Sequence, residues 1–182
     1  MRKTDARIRY TQGVLKQSLL SFLKEKPINK ITVKEVCERA ALNRATFYAH
    51  YSDCFALLES IEEDLLEAFQ QSLMLVDSFD VTALIEAIYT MIEQQQEACQ
   101  VLIFQNVCPN VLRRMIGLAR GESIAYWKRR LHHITEAELE MLYTHLSNGL
   151  MHVVVEGYEQ YSRKEVVRFV NRIVQCSLSQ FQ

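Results

Sequence analysis

Arg44, Thr46, Tyr48 and His50 place hydrogen-bond donors of several lengths and two rings in one short stretch of the chain. Residues four apart share a helical face, so Arg44 and Tyr48 lie together, with Thr46 and His50 on the adjoining side. Phosphate oxygens and base edges of double-stranded DNA are contacted by such groups. The pattern therefore predicts a nucleic-acid contact face, and the alternative is the solvated surface of an ordinary short helix.

These residues share a face only if they lie on a helix, and the sequence predicts both the start of that helix and the side that packs inward. Asn43 is a strong helix cap, which predicts a helix from Arg44 to about Tyr51. Phe47 and Tyr51 are four residues apart and form the side that packs inward.

A second short helix is expected just before it, from Val33 to Ala40. Thr32 and Glu35 have the spacing of a capping box, in which each side chain bonds the backbone of the other residue. Only a few residues separate this helix from Asn43. Two short helices joined by a tight turn predict a helix-turn-helix.

Two longer helices are expected to flank this motif. Apolar residues recur at helical spacing from about Asp5 to Lys26, before Pro27 stops the pattern. A helix of roughly 20 residues, ~30 Å long, begins at Ser52 or Asp53 and serves as a lever or as a plain connector. The basic residues at the amino terminus, either a mobile arm that reaches phosphate or a solvated end, are Arg2, Lys3, Arg7 and Arg9.

The whole chain has the composition of an all-α protein. Its 182 residues are 49% hydrophobic and contain only 5 Gly and 2 Pro, and the apolar residues recur mostly at helical spacing. We expect a cytoplasmic protein without a membrane partner, because the sequence has neither a secretory signal nor a run of ~20 apolar residues.

Charge is divided unevenly along the chain. Residues 1–51 carry 11 Lys and Arg against 4 Asp and Glu, a balance of +7, whereas residues 52–182 carry 10 against 18, a balance of −8. A basic amino-terminal part beside an acidic remainder indicates that only the first part faces a polyanion.

The motif resembles the amino-terminal DNA-binding motif of the TetR family of bacterial transcription regulators, in the small members that read N-R-x-T-F-Y-x-H-Y. The residues that carry this resemblance are Thr32, Val33, Val36, Ala40, Leu42, Asn43, Thr46, Phe47, Tyr48, His50 and Tyr51.

The resemblance implies an all-α, TetR-like fold of about nine helices, in two domains. Residues 1–51 would form a three-helix DNA-binding domain, and residues 52–182 a helical domain for ligand binding and dimerisation. It also implies a homodimer through the last two helices on a palindromic operator, and a small-molecule inducer. The expected DNA-binding residues are Thr32, Lys34, Asn43, Arg44, Ala45, Thr46, Tyr48 and His50.

Two positions depart from the family pattern. Ala41 stands where many members have Gly, so the turn needs no positive φ or tolerates a small cost. Cys54 stands where members commonly have a Lys that touches phosphate, which predicts weaker binding. Two alternatives follow from Cys54: a protein-interaction module of the same fold with little DNA affinity, or a thiol switch whose pKa the helix start lowers.

The second domain ends in two helices with broad apolar stripes, each preceded by a capping box: Thr135 with Glu138, and Ser162 with Glu165. Such stripes at the end of a chain indicate a partner surface. Five scattered cysteines and the absence of H-E-x-x-H, G-x-S-x-G and phosphate-loop motifs argue against an enzyme, a cofactor or a metal site.

We therefore predict a DNA-binding transcriptional regulator without catalytic residues, most simply a ligand-responsive repressor.

Overall fold

The computed structural model describes residues 3–74 and 81–181, with side chains from residue 6 in the first range and residue 82 in the second. These ranges contain no strand, which confirms the all-α prediction. A 3₁₀ turn at Ile28–Lys30 and a π-helical turn at Gln100–Phe104 accompany the helices. The helices are α1 Lys3–Leu23, α2 Val33–Arg39, α3 Arg44–Tyr48, α4 Cys54–Met74, α5 Val81–Gln94, α6 Gln96–Cys99, α7 Asn110–Lys128, α8 Glu136–Gly157 and α9 Arg163–Leu178.

The chain forms two compact units. Unit 1 comprises Met1–Leu65 with Glu97–Cys108, and unit 2 comprises Leu66–Gln96 with Pro109–Gln182. The first boundary falls inside α4, and the second follows Gln96, the first residue of α6. The functional boundary between residues 51 and 52 concerns which residues meet DNA, and it stays a prediction.

Unit 1 is built on fully buried apolar side chains from its first four helices. Leu15 and Leu19 of α1, Val36 of α2, Phe47 of α3 and Leu57 of α4 have no exposed surface. This shared core holds the short helices α2 and α3 against the long helices α1 and α4, because close-packed side chains have little freedom to shift.

Helix α1 differs from its prediction at both ends. Its backbone is helical from Lys3, so Arg7 and Arg9 belong to a helix and not to a mobile arm. At the other end the helix stops at Leu23, and the N–H groups of Glu25 and Lys26 both donate to the Phe22 carbonyl in a closing turn before Pro27.

Charged side chains tie α1 to its neighbours within unit 1. The Arg39 guanidinium of α2 lies 3.8 Å from the centre of the Phe22 ring, which is a close cation–π contact. Lys16 pairs with Asp64 of α4 at 2.6 Å, and Lys24 pairs with Glu97 at 2.8 Å.

Unit 2 confirms both capping boxes, at Thr135 with Glu138 and at Ser162 with Glu165. The start of α9 is held to α5 by ion pairs from Arg163 to Glu86 and, at 3.2 Å, to Glu93. The Tyr143 hydroxyl of α8 donates to the Ile116 carbonyl of α7 at 2.6 Å.

In the later part of the chain, the sequence predicts a polar break at residues 77–80 with Asp80 as a helix cap, and these residues lie outside the described ranges. The apolar run Cys99–Phe104 predicts a short buried helix. The structure shows two pieces there, because α6 ends at Cys99 and the π-helical turn Gln100–Phe104 follows it. Within the described ranges, every helix is too short or too polar to span a bilayer.

The turn that ends α2 uses a left-handed residue. Ala41 has a φ of 53°. Its N–H donates to the Glu38 carbonyl at 3.3 Å, and the Leu42 N–H donates to the Cys37 carbonyl at 2.9 Å. Both bonds of a Schellman motif are present, with alanine in the position that usually holds glycine. Of the two possibilities that the sequence left open, the structure shows the positive φ.

We predict that Ala41→Gly raises the free energy of unfolding by about 1 kcal/mol, because a left-handed alanine is strained by about 1–2 kcal/mol and part of that gain is lost to unfolded-state entropy. Urea denaturation followed by circular dichroism measures it. The matched control is Ala40→Gly, since Ala40 has a right-handed φ of −75° and glycine there should destabilise by about 0.5–1 kcal/mol. Equal losses in both variants would contradict the strain at Ala41.

Candidate nucleic-acid interface

The start of α2 is fixed by Thr32 and Glu35. The Thr32 hydroxyl accepts from the Glu35 N–H, while the Glu35 carboxylate accepts from the Thr32 N–H at 2.9 Å and from its hydroxyl at 2.7 Å. The capping box predicted from the sequence is thereby confirmed. Lys26 adds an ion pair to the same carboxylate at 2.6 Å.

These bonds change the pKa of Glu35. The hydrogen bond from Lys26, followed by those from Thr32, holds the pKa of this carboxyl at about 2, against an ordinary value of 4.5. The charged form is the one that the cap uses, so Glu35 stays ionised over the whole range in which the protein is expected to work.

The start of α3 is fixed by Asn43, as the sequence predicts. Its side-chain oxygen accepts from the Thr46 N–H at 2.7 Å and from the Thr46 hydroxyl at 2.9 Å. The helix itself ends at Tyr48 and not at Tyr51. A tight turn continues it, because the N–H groups of His50 and Tyr51 both donate to the Phe47 carbonyl.

The two sides of α3 have opposite surroundings. Phe47 has no exposed surface and Tyr51 is buried, whereas Tyr48 is 58% exposed. The Tyr48 ring packs edge-on against Phe47, with 5.6 Å between ring centres. The predicted inward and outward faces are therefore both present, and the exposed ring rests on a buried one.

The outward side collects the predicted contact residues of the motif. Arg44 and Ala45 are exposed beside Tyr48, and Thr46 and His50 are half-buried. On α2 and its cap, Thr32 and Lys34 are exposed. Lys34 has a weak partner in Glu38 at 3.8 Å, with both side chains more than 60% exposed.

Some of these side chains already use their polar groups within the protein. The hydroxyl hydrogens of Thr32 and Thr46 are donated to Glu35 and Asn43, and the Asn43 oxygen accepts twice. These three residues therefore position the helix starts. Arg44 has no hydrogen-bond partner among the described residues, so all five N–H donors of its guanidinium are available to a ligand.

Cys54 does not occupy the position of an exposed contact residue. Asp53 caps α4, because its carboxylate accepts from the Ala56 N–H at 2.8 Å, and Cys54 behind it is buried. Burial, and then the negative charge of Asp53, raise the pKa of the Cys54 thiol to about 11. The prediction that the Cys54 pKa is lowered, which a thiol switch needs, is therefore wrong. Loss of solvent around the thiolate raises the pKa by more than the helix dipole lowers it.

Two features of this site were not identified from the sequence. Lys26 lies nine residues before Glu35, a separation that no local motif connects, and only the closing turn after α1 brings the two together. Arg39 stacks on Phe22 for the same reason. The left-handed conformation of Ala41, in contrast, was indicated by the sequence, because many members of the TetR family have glycine at this position.

Other titratable clusters do not add a metal site. Within residues 3–74 and 81–181, no group of three or more His, Cys, Asp and Glu is placed to hold an ion. His145 and His152 of α8 are exposed.

The described helices and their helix-turn-helix define a TetR-like fold. A TetR transcriptional regulator from Streptococcus agalactiae 2603V superimposes with a TM-score of 0.68 at 19% identity, over 94% of this chain and 97% of the other. The dihydroxyacetone kinase operon activator DhaS gives 0.65 at 13% identity, over 94% and 98%. These similarities confirm the predicted fold.

At the level of sequence, the chain is similar to YxbF, an uncharacterized HTH-type transcriptional regulator of Bacillus subtilis (strain 168). The two are 37% identical over 62 residues, which are 34% of this chain and 16% of YxbF. No family model matches the chain.

We predict that Glu35→Gln lowers stability at neutral pH, and that the difference from the wild type disappears as the pH falls from about 4.5 to about 2. The sign follows from the lowered pKa of Glu35, because a depressed carboxyl pKa stabilises the fold above its unfolded value and loses that contribution on protonation. Glutamine keeps the cap acceptor and removes only the charge. Thermal unfolding at a series of pH values measures the difference, and one that does not vary between pH 2 and 5 would contradict this role of the charge.

Proposed function

We propose that the chain is a DNA-binding transcriptional regulator that binds a palindromic operator as a homodimer. The observation that carries the proposal is the outer face of α3, where Arg44 and Tyr48 are exposed on a helix that Asn43 and Phe47 hold in place. The balance of +7 in residues 1–51 supports a polyanionic partner for this part of the chain.

The proposed contacts divide into two kinds. Arg44 and Tyr48 supply the free donor groups and the ring for base edges and phosphates, with Ala45 small enough to meet a thymine methyl. His50 and Lys34 are proposed to contact the sugar-phosphate backbone of the DNA. Thr32, Asn43 and Thr46 take part mainly by holding the starts of α2 and α3, because their hydrogen bonds are already made inside the protein.

The proposed dimer uses α8 and α9. Met141 of α8 is 64% exposed, and Phe169 and Ile173 of α9 are 45% and 43% exposed. Large apolar side chains on the last two helices are suited to a two-fold interface, in which one patch meets its own copy. Such a dimer would place two α3 helices about one DNA turn apart or a multiple of it, ~34–36 Å per turn.

The proposed mode of action is repression from a cytoplasmic location. DhaS, which has a similar fold, is named an operon activator, so the fold itself gives no argument about the sign and repression rests on the family resemblance. The dimer would have two conformations that differ in the distance between its two α3 helices. An inducer would act by binding the conformation that does not fit the operator more tightly than the one that does. The proposal assigns no catalytic step to this chain.

We predict that Arg44→Ala weakens binding to a duplex of mixed sequence and lowers the slope of log affinity against log salt by about 0.9, the value of one phosphate contact. Fluorescence anisotropy with a labelled duplex at several salt concentrations measures both. Arg129→Ala is the matched control, because Arg129 is an exposed arginine of unit 2 and the same charge is removed from the chain.

The control should leave the slope unchanged. Equal slopes for the two variants would contradict the placement of Arg44 on the DNA. A wild-type protein that binds no duplex even at low salt would favour the other candidate, a protein-interaction module of the same fold.

A further inference from the structure

Unit 2 contains a partly open cavity of about 50 Å³ among α4, α5, α7, α8 and α9. Its walls are apolar and aromatic side chains with two serines, and none of its lining residues is charged. Trp127 of α7 and Tyr143 of α8 stand together in the wall, with 5.9 Å between ring centres. A charged molecule would therefore lose its hydration here without gaining a partner.

Ser123 supplies the one unsatisfied polar group of this wall. Its side chain is 1% exposed, and its hydroxyl oxygen is buried without a hydrogen-bond partner among the described residues. A buried hydroxyl without a partner is destabilising, and native structures rarely keep one without a reason.

The other buried serines show that this is unusual. Ser18 donates to the carbonyl of Val14 at 2.7 Å, and Ser72 donates to the carbonyl of Ala68 at 2.9 Å, each four residues earlier in its own helix. Ser123 is more deeply buried than either and makes no such bond. Its hydroxyl therefore has both a donor and an acceptor function left for a molecule in the cavity.

The size of the cavity limits the molecule. At about 50 Å³ it is roughly a third of the ~150 Å³ cavity that accepts benzene. Met115 and Met151 line it, and unbranched methionine side chains can move to enlarge a site at little cost. A molecule of one six-membered ring therefore needs these side chains to move, and a larger ligand would need still more space.

We propose that this cavity binds a small, uncharged, mostly apolar molecule of about one ring, with one polar group that pairs with the Ser123 hydroxyl. The inference rests on the proposed function, since it gives a chemical class to the inducer of that regulator. The alternative is that Ser123 is an ordinary core residue, in which case its buried hydroxyl would lower stability and have no ligand to pair with.

Trp127 makes the proposal measurable in the full chain, because it is the only tryptophan and it lines the cavity. Phenol, toluene and benzoate are the probes: a ring with a hydroxyl, the same size of ring without one, and a charged ring. Each is titrated against the protein without DNA, and the Trp127 emission is followed.

We expect phenol and toluene to change the emission saturably and benzoate to have no saturable effect. Ser123→Ala should weaken phenol binding by about two- to tenfold, the contribution of one hydrogen bond, and leave toluene binding unchanged. Ser72→Ala is the matched control, and it should leave phenol binding unchanged. Ser123→Ala should also fold at least as stably as the wild type, because it removes an unpartnered hydroxyl and alanine favours a helix.

A second variant tests the location. Ala119 lines the cavity, so Ala119→Leu should fill it and abolish the response to phenol and toluene while circular dichroism stays unchanged. The proposal is overturned if neither probe saturates the wild type, if phenol binds wild type and Ser123→Ala equally, if benzoate binds as tightly as phenol, or if Ala119→Leu still responds.

These outcomes are separate from DNA binding. Ser123→Ala should bind a mixed-sequence duplex as the wild type does, so a failed titration leaves the DNA proposal standing. A protein that bound phenol but no duplex would leave the cavity assignment standing and refute the regulator.

Discussion

The burial of Phe47 is the interaction on which the candidate interface depends. Helix α3 has five residues, about 7.5 Å of helix, and a helix of this length is not stable by itself in water. It exists because Phe47 is wholly buried beneath it and because Asn43 closes its start. The direction of Arg44 and Tyr48 is a consequence, because the burial of Phe47 fixes which side of α3 faces the core and therefore which side faces outward. Arg44 and Tyr48, four residues apart, share the outward side.

The turn before α3 contributes to the same result. Ala41 in the left-handed conformation lets α2 end in a Schellman motif, and Asn43 then begins the next helix two residues later. Rigid presentation matters for recognition, because a contact face that is ordered before it meets DNA has less conformational freedom to lose on binding. The strain at Ala41 is small beside the packing that holds it, so the protein can tolerate an alanine where glycine would be easier.

Local features of this fold could be predicted from the sequence, and features that join distant segments could not. The capping boxes at Thr32, Thr135 and Ser162 were predictable because donor and acceptor lie three residues apart in the chain. The fold class followed from apolar periodicity and from the TetR-like motif. The contact residues remain a proposal, although the structure places all of them on α2, α3 and the residues next to these helices.

The misses have a common physical cause. The pair of Lys26 with Glu35 and the stacking of Arg39 on Phe22 depend on how α1 meets α2, which no local pattern encodes. The pKa of Cys54 was expected to be lowered because this residue lies at a helix start, but the thiol is buried in unit 1 and burial raises its pKa to about 11. Ser123 gave no signal at all, since a serine in a helix normally satisfies itself on its own backbone.

Selection from a pool of random duplexes, carried out in parallel with the wild type and with Tyr48→Ala, measures whether the outer face of α3 recognises an operator. Tyr48 is exposed, so the variant should keep its circular dichroism spectrum. We expect the wild type to enrich a palindrome whose half-site centres lie one helical turn, ~34 Å, or a multiple apart, and Tyr48→Ala not to enrich it. A wild type that enriches no sequence, or a Tyr48→Ala variant that enriches the same palindrome as strongly, would contradict it.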